Sequence, residues 1–136
     1  MFKNLAKAVL KINPKINVYG NDYNTTDGTC VRDYIHVTDI TKIHILALKS
    51  ISRKNKSFIL NCGYGKGISV IQAIREFERK IKKKILIKFK QRRKGDMEKI
   101  IADNKQIKKV LGWRVNKNSL KKIVRSTIKW EKIKQY

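Results

Sequence analysis

A chain of 136 residues with 34 Lys and Arg against 10 Asp and Glu has a formal net charge of +24, which draws a protein toward nucleic acid or anionic membrane. The cations are spread over every expected helix and loop, and Lys, Ile and Asn abound together as AT-rich codons produce. Codon bias thus explains the charge better than a nucleic-acid role, though the charge is compatible with non-specific RNA binding at low salt; neither a specific nucleic acid nor a membrane is an expected partner. The length suits one domain, and no run of about 18 apolar residues offers a membrane span. Lys3, Lys7 and Lys11 interrupt any apolar signal core. Cys30 and Cys62 lack CxxC or Cys/His spacing, which argues against a disulfide framework or a zinc site and leaves the cytoplasm as the default compartment.

Residues 2–12 (FKNLAKAVLKI) set Leu5, Ala8, Val9 and Ile12 at helical spacing with lysines opposite, which predicts a helix stopped by Pro14. Ile16, Val18 and Tyr19 predict a strand. Val31 to Val37 predicts another, with Val31, Asp33, Ile35 and Val37 on one face and Arg32, Tyr34 and His36 on the other. Between them Gly20, Asn21, Asp22, Asn24, Asp27 and Gly28 are turn formers. Thr38 or Asp39 can cap a helix over roughly residues 40–52. Ile40, Ile43, Leu46, Ala47 and Ile51 give it a wide apolar stripe, and Ile45 and Leu48 make it apolar almost all round, as in a helix buried between layers. Ser57 to Asn61 (SFILN) reads as a strand covered on both faces.

Gly63-Tyr64-Gly65-Lys66-Gly67 lies between that strand and the next helix. A dinucleotide fingerprint needs glycine at the position of Ile68 and an acidic residue about twenty positions on, where Lys88-Phe89-Lys90 stands. A Walker pattern is also absent. The run reads as a strand-to-helix turn rich in φ > 0 positions. Ser69 and Gln72 form a capping box for a helix to about residue 82, with Val70, Ile74, Phe77 and Ile81 on one face. Lys84 to Lys90 alternates, with Ile85, Ile87 and Phe89 inward and a basic outer face that discourages further pairing. After the loop Gln91–Asp96, Asp103 and Gln106 form another capping box for a helix burying Ile107, Val110 and Leu111. Gly112 ends it and Trp113 packs back. Ser119 caps the last helix, whose stripe is Leu120, Ile123, Val124, Thr127 and Ile128, with Trp130 near its end.

Tyr19 stands at the mouth of a polar loop whose far side carries Arg32 and Tyr34. A flat ring beside a guanidinium suits a ligand with a base and a phosphate. From pattern alone the simpler reading is a hairpin with a salt bridge between Arg32 and a nearby carboxylate. In QRRKGD, arginine forks can grip phosphate oxygens and an aspartate can accept from ribose hydroxyls; surface charge explains the same residues.

The run YGNDYNTTDGTCVRDYIHV, Tyr19 to Val37, resembles the substrate-domain segment of the UDP-glucose 4-epimerases, in the extended short-chain dehydrogenase/reductase superfamily. The resemblance continues at Asn61 to Val70, at Arg92-Arg93-Lys94-Gly95-Asp96, and from Ala102-Asp103 through Leu111-Gly112-Trp113, in family order, from about Asn4 to Trp130. It implies an α/β fold, the C-terminal substrate-binding lobe as a single unit over residues 1–136, with one helix and one strand that complete an N-terminal Rossmann sheet. Residues 38–62 are then expected to pack on that NAD-binding domain, and the chain to begin in the middle of the family's architecture.

The implied activity is interconversion of UDP-glucose and UDP-galactose in galactose metabolism, with NAD taking a hydride from C4 and returning it to the other face. The family's base is a tyrosine with a lysine four residues on. Here Tyr19, Tyr23, Tyr34 and Tyr64 are followed at that distance by Tyr23, Asp27, Thr38 and Ile68, and no GxxGxxG is present. No catalytic residue is therefore expected in this chain, which is expected to be inactive alone. Its expected partner is a UDP-sugar, in a family that is often homodimeric; the chain is a fragment, a decayed remnant, or a split-gene half whose further partner is a separately encoded N-terminal NAD-binding half. The UDP half of the site carries over: Asn17, Val18 and Tyr19 on the uracil, Arg32 and Arg93 on the diphosphate, and Asp96 near the ribose. Ile100 stands where some members have an aromatic, and His36, His44 and both cysteines are expected only to pack. The alternatives are another nucleotide-sugar epimerase or dehydratase, or a basic non-catalytic protein that binds nucleic acid or membrane.

Overall fold

The computed structural model describes residues 1–54, 57–114 and 119–134. In chain order these form α1 (Phe2–Val9), β1 (Lys15–Tyr19), β2 (Val31–Arg32), α2 (Val37–Lys54), β3 (Ile68–Ser69), α3 (Val70–Ile81), β4 (Leu86–Lys90), β5 (Lys99–Ile100), α4 (Lys105–Leu111) and α5 (Ser119–Ile133). β1 and β4 pair in parallel, from Lys15 opposite Leu86 to Tyr19 opposite Lys90. β2 lies between β3, antiparallel to it, and β5, parallel to it. The expected hairpin is therefore corrected: β1 and β2 each find other partners.

One core cluster holds α1, α3 and α5 against the first sheet. Leu5, Ala6, Val18, Ile74, Phe77, Ile85, Val124 and Ile128 are its buried members. A second cluster joins Ile43, Tyr64, Ile107, Trp113 and Ile123, with Trp113 stacked on Tyr64 at 6.0 Å between centroids. α1 stops a turn earlier than expected: Leu10 is its C-cap, and Ile12 is exposed beyond the packed stripe. The expected alternation holds for Ile85, buried just before β4, and for half-buried Ile87, but Phe89 near the end of β4 is half exposed.

The α3 capping box forms as expected: Gln72 N–H donates to Ser69 Oγ at 3.0 Å and Ser69 N–H donates to Gln72 Oε1 at 2.9 Å. The box expected at Asp103 and Gln106 does not form. Instead Asn104 occupies the cap position, its amide donating to the Gly63 carbonyl at 3.0 Å, and Lys105 N–H donates to Asp103 Oδ1 at 3.0 Å. Gly112, at φ +62°, closes α4 as expected. The cap expected of Ser119 falls on a side chain outside those described. Trp130 is exposed.

The strand expected over 31–37 is only Val31–Arg32, with one further ladder bond from Asp33 N–H to the Ile100 carbonyl at 3.1 Å. α2 then begins at Val37, and its cap is His36. Thr38 N–H donates to His36 Nδ1 at 3.1 Å, the Thr38 hydroxyl lies 2.7 Å from the same nitrogen, and His36 Nε2 lies 2.8 Å from Ser126 Oγ. Because Nδ1 accepts, the proton sits on Nε2. His36 therefore ties the start of α2 to α5, a role beyond the packing expected of it. The expected caps, Thr38 and Asp39, stand inside the helix.

α2 is covered on one side only. Ile43 is buried, whereas Leu48 is 67% exposed and Ile45 and Ile51 are exposed beside it. Residues 57–62 form no strand, and Ile59 is 99% exposed. A strand needs a ladder partner for its backbone groups, and no described strand lies alongside this segment.

Burial and the nearby Lys122 hold His36 below its ordinary value of 6.5, opposed by Asp39. Tyr64 and Asp39 flank it from the glycine turn and α2, Lys122 and Ser126 from α5. Folding thus favours neutral His36, so its contribution is present above 6.5 and is lost as pH falls through the lowered native value. His36→Asn keeps a capping side chain and removes the titration. Between about pH 8 and about pH 5 the melting temperature of the wild type is expected to fall further than that of His36→Asn, as followed by circular dichroism.

Candidate functional site

The pairing of β1 with β4 brings the loop after β4 back over the end of β1. Gly20 N–H extends the ladder to the Lys90 carbonyl at 2.8 Å, so Tyr19 stands beside Gln91–Asp96. Asp96 N–H donates to the Arg93 carbonyl at 3.2 Å, closing a turn with Gly95 at φ +84°. Val31 N–H donates to the Glu98 carbonyl at 2.8 Å, which sets Arg32 against the same loop. The result is a cavity of about 260 Å³.

Asn17, Val18, Tyr19, Arg32, Arg93 and Asp96 all line this cavity. Arg93 Nε donates to Asp96 Oδ2 at 2.9 Å, and Arg32 Nη2 lies 3.9 Å from Asp96 Oδ1. One carboxylate thus holds two guanidinium groups, leaving one net positive charge. Arg32 Nη1 also donates to the Val31 carbonyl at 2.9 Å. The Arg93 guanidinium stands 4.9 Å from the Tyr19 ring centroid. The hydrogen bond to Asp96 holds the Arg93 guanidinium firmly protonated, against a smaller opposing effect of burial. The salt bridge read from pattern and the cavity are therefore one arrangement: Asp96 is the carboxylate beside Arg32.

Met1, Asn4, Leu5, Cys30 and Tyr34 line the cavity as well. Tyr34 packs edge-on against Phe2 at 4.8 Å and donates to Met1 Sδ at 3.3 Å. Burial, with Cys30 nearby, pushes its phenol up to about 12, so it remains a donor at neutral pH. Alternation carried the signal for Tyr34, since Arg32 and Tyr34 fall on one face two residues apart. Nothing in the local pattern marks Met1 or Asn4, which reach the cavity through helix packing.

The polar loop behind the cavity is held by Asp27. Its Oδ1 accepts from Thr29 N–H at 3.1 Å and from Thr29 Oγ1 at 2.6 Å, and its Oδ2 accepts from Ser69 Oγ. Burial raises the Asp27 carboxyl, but the Ser69 and Thr29 donors outweigh it and hold it below the usual carboxylate range.

The glycine turn is built for a different job. Tyr64 N–H and Gly65 N–H donate to Asp33 Oδ1 and Oδ2 at 3.0 and 2.8 Å. The Tyr64 hydroxyl donates to Asp39 Oδ2 at 2.5 Å, and Lys122 Nζ lies 3.5 Å from Asp39. Of its three glycines only Gly65 has positive φ, which corrects the expectation of a turn rich in such positions. A Cβ on Gly67 would stand 2.5 Å from Val31 Cγ1, so close approach is the reason for glycine there. Amides that would cradle a cofactor pyrophosphate are already committed to a carboxylate, so this turn does not fit a dinucleotide. Among the described residues no three His, Cys, Asp or Glu side chains gather as a metal site.

A protein-family model described as GDP-mannose 4,6 dehydratase matches residues 2–127. The chain belongs to that family. It is similar to a UDP-glucose 4-epimerase of Azospirillum brasilense, 39% identical over 132 residues, 97% of this chain and 38% of the relative. A UDP-glucose 4-epimerase of Dictyostelium discoideum is 40% identical over 121 residues, 88% of this chain and 35% of the relative. Among solved structures, UDP-glucose 4-epimerase from Stenotrophomonas maltophila, with bound NAD and formylated UDP-arabinopyranose, matches with a TM-score of 0.93 at 35% identity, over 98% of this chain and 40% of that one. The enzyme from Bifidobacterium longum, in complex with NAD+ and UDP, matches with a TM-score of 0.88 at 33% identity, over 98% and 39%. The chain thus spans less than half the length of the family members it matches, and its α/β fold is part of the extended short-chain dehydrogenase/reductase fold. No described helix is long and apolar enough to cross a membrane.

Asp33→Ala removes the acceptor for two turn amides. It is expected to lower unfolding free energy by about 1–3 kcal/mol, read by urea denaturation, without moving the α3 helix.

Proposed function

We propose that the chain is the nucleotide-sugar-binding part of a UDP-glucose 4-epimerase, and that its cavity holds the UDP moiety. The observation that carries this reading is the convergence of Tyr19, Arg32, Arg93 and Asp96 on one cavity from two strands and a loop. The Tyr19 ring offers a face for the base, with Asn17 and Val18 at its edge. Arg32 and Arg93 supply guanidinium forks for the diphosphate, and Asp96 accepts from ribose hydroxyls. Tyr34 adds a neutral donor from the cavity wall. A diphosphate entering the cavity competes with Asp96 for Arg93, so that side chain re-pairs on binding.

The chemistry at C4 needs a hydride acceptor and a base, and this chain offers neither an NAD loop nor Tyr-x-x-x-Lys. Both are supplied, in this reading, by an NAD-binding portion of the family's architecture that lies outside these 136 residues. The bare stripe of α2, with Ile45, Leu48 and Ile51, and the exposed Ile59 are the surface we assign to it. Alone, the chain binds UDP weakly and does not interconvert UDP-glucose and UDP-galactose, the step that would place the assembled enzyme in galactose metabolism. The family model's description leaves a guanine nucleotide as the rival ligand.

Calorimetric titration with UDP at about 150 mM salt tests the reading, with GDP as the competing ligand. UDP is expected to bind, GDP more weakly, and Arg93→Ala to lose about ten- to a hundredfold in affinity. Absence of UDP binding by a chain that circular dichroism shows to be folded would overturn it.

A further inference from the structure

Few of the 34 cations stand in a pattern, but those on the first sheet do. In a parallel pair, residues opposite one another share a face. Lys15 stands opposite Leu86, Asn17 opposite Lys88 and Tyr19 opposite Lys90. All six are exposed, whereas Ile16, Val18 and Ile87 turn to the core side. Neither strand carries a carboxylate. Lys84, just before β4, is 93% exposed and only 3.7 Å from Glu78, a loose surface pair. Lys84, Lys88 and Lys90 fall on one face over about 20 Å at strand rise, with Leu86 between them and Lys15 beside Leu86 on the neighbouring strand.

We propose that this sheet face binds single-stranded nucleic acid through its phosphate backbone, without sequence preference. A row of ammonium groups matches a linear polyanion. Leu86 is the one aliphatic side chain on the face, too little to insert into a bilayer, where a membrane-surface element carries a continuous apolar side. Tyr19 lies at the end of the row beside Lys90, and its half-open ring can stack a base, which a single strand presents and a duplex withholds. Tyr19 is shared with the UDP reading, but Lys15, Lys88 and Lys90 line no part of that cavity, so replacing them leaves it intact.

The test is fluorescence anisotropy with a labelled oligouridylate of about 15 nucleotides, enough to run the length of the sheet, titrated over a range of salt. Lys15→Glu, Lys88→Glu and Lys90→Glu together are compared with Lys121→Glu, Arg125→Glu and Lys129→Glu, three exposed cations on α5. Both triples change net charge equally, and circular dichroism checks that both fold. The same sheet positions changed to Gln provide a second, milder variant. Binding to the wild type is expected to weaken steeply with salt. The sheet-face variants are expected to lose more than tenfold, with a salt slope shallower by about 2 for three phosphate contacts, and the α5 variant less than about threefold. Equal losses in both triples would show that net charge alone is at work and overturn the proposal. So would no binding to the wild type, or binding of anionic vesicles through these lysines in preference to the oligonucleotide.

Discussion

The five-residue parallel pairing of Lys15–Tyr19 with Leu86–Lys90 fixes the positions of the other parts. It seats Val18 over the core made by Leu5, Ile74, Phe77 and Val124, and delivers the loop after β4 to the open side of Tyr19. The second sheet brings Arg32 to that loop from the other direction, and Asp96 links the two arginines. A slip of one residue between β1 and β4 would turn Val18 to solvent and Tyr19 to the core. The burial of Val18 therefore also positions the cavity. Parallel strands cannot be joined by a tight turn, which is why β1 meets in the site a loop more than seventy residues further along the chain.

A separate polar network carries α2. His36 caps it and reaches Ser126, Tyr64 bonds Asp39, and Lys122 faces both Asp39 and Thr38. These links lock α2 to α5 and to the glycine turn while leaving its outer stripe bare. Attachment with an uncovered apolar face fits the surface proposed for an NAD-binding portion.

Local signals in the sequence identified the elements whose causes are local. The Ser69–Gln72 box and the stripe of Ile74 and Phe77 produce α3 as read. Gly112 ends α4, and Trp113 packs back as read. The failures lie where a distant partner decides. Val31–Val37 alternates like a long strand, but its ladder ends when Asp33 turns to the Tyr64 and Gly65 amides and His36 starts a helix. Residues 57–61 have a strand's composition but no described ladder partner. The cavity residues were legible as a set through the long family-like run and RRKGD, whereas pattern alone favoured a hairpin. Tyr34 was visible by alternation. Met1 and Asn4 were not, because helix packing across the chain brings them in.

The central claim is that one cavity, assembled from β1, β2 and the loop after β4, receives the nucleotide. Two-dimensional nitrogen–proton NMR of the labelled chain during addition of UDP tests it most directly. The account predicts perturbations concentrated at residues 17–19, 30–34 and 93–96, including the Arg93 side-chain signal as it leaves Asp96. Perturbations centred instead on the glycine turn at residues 63–67, with these three segments unmoved, would contradict it.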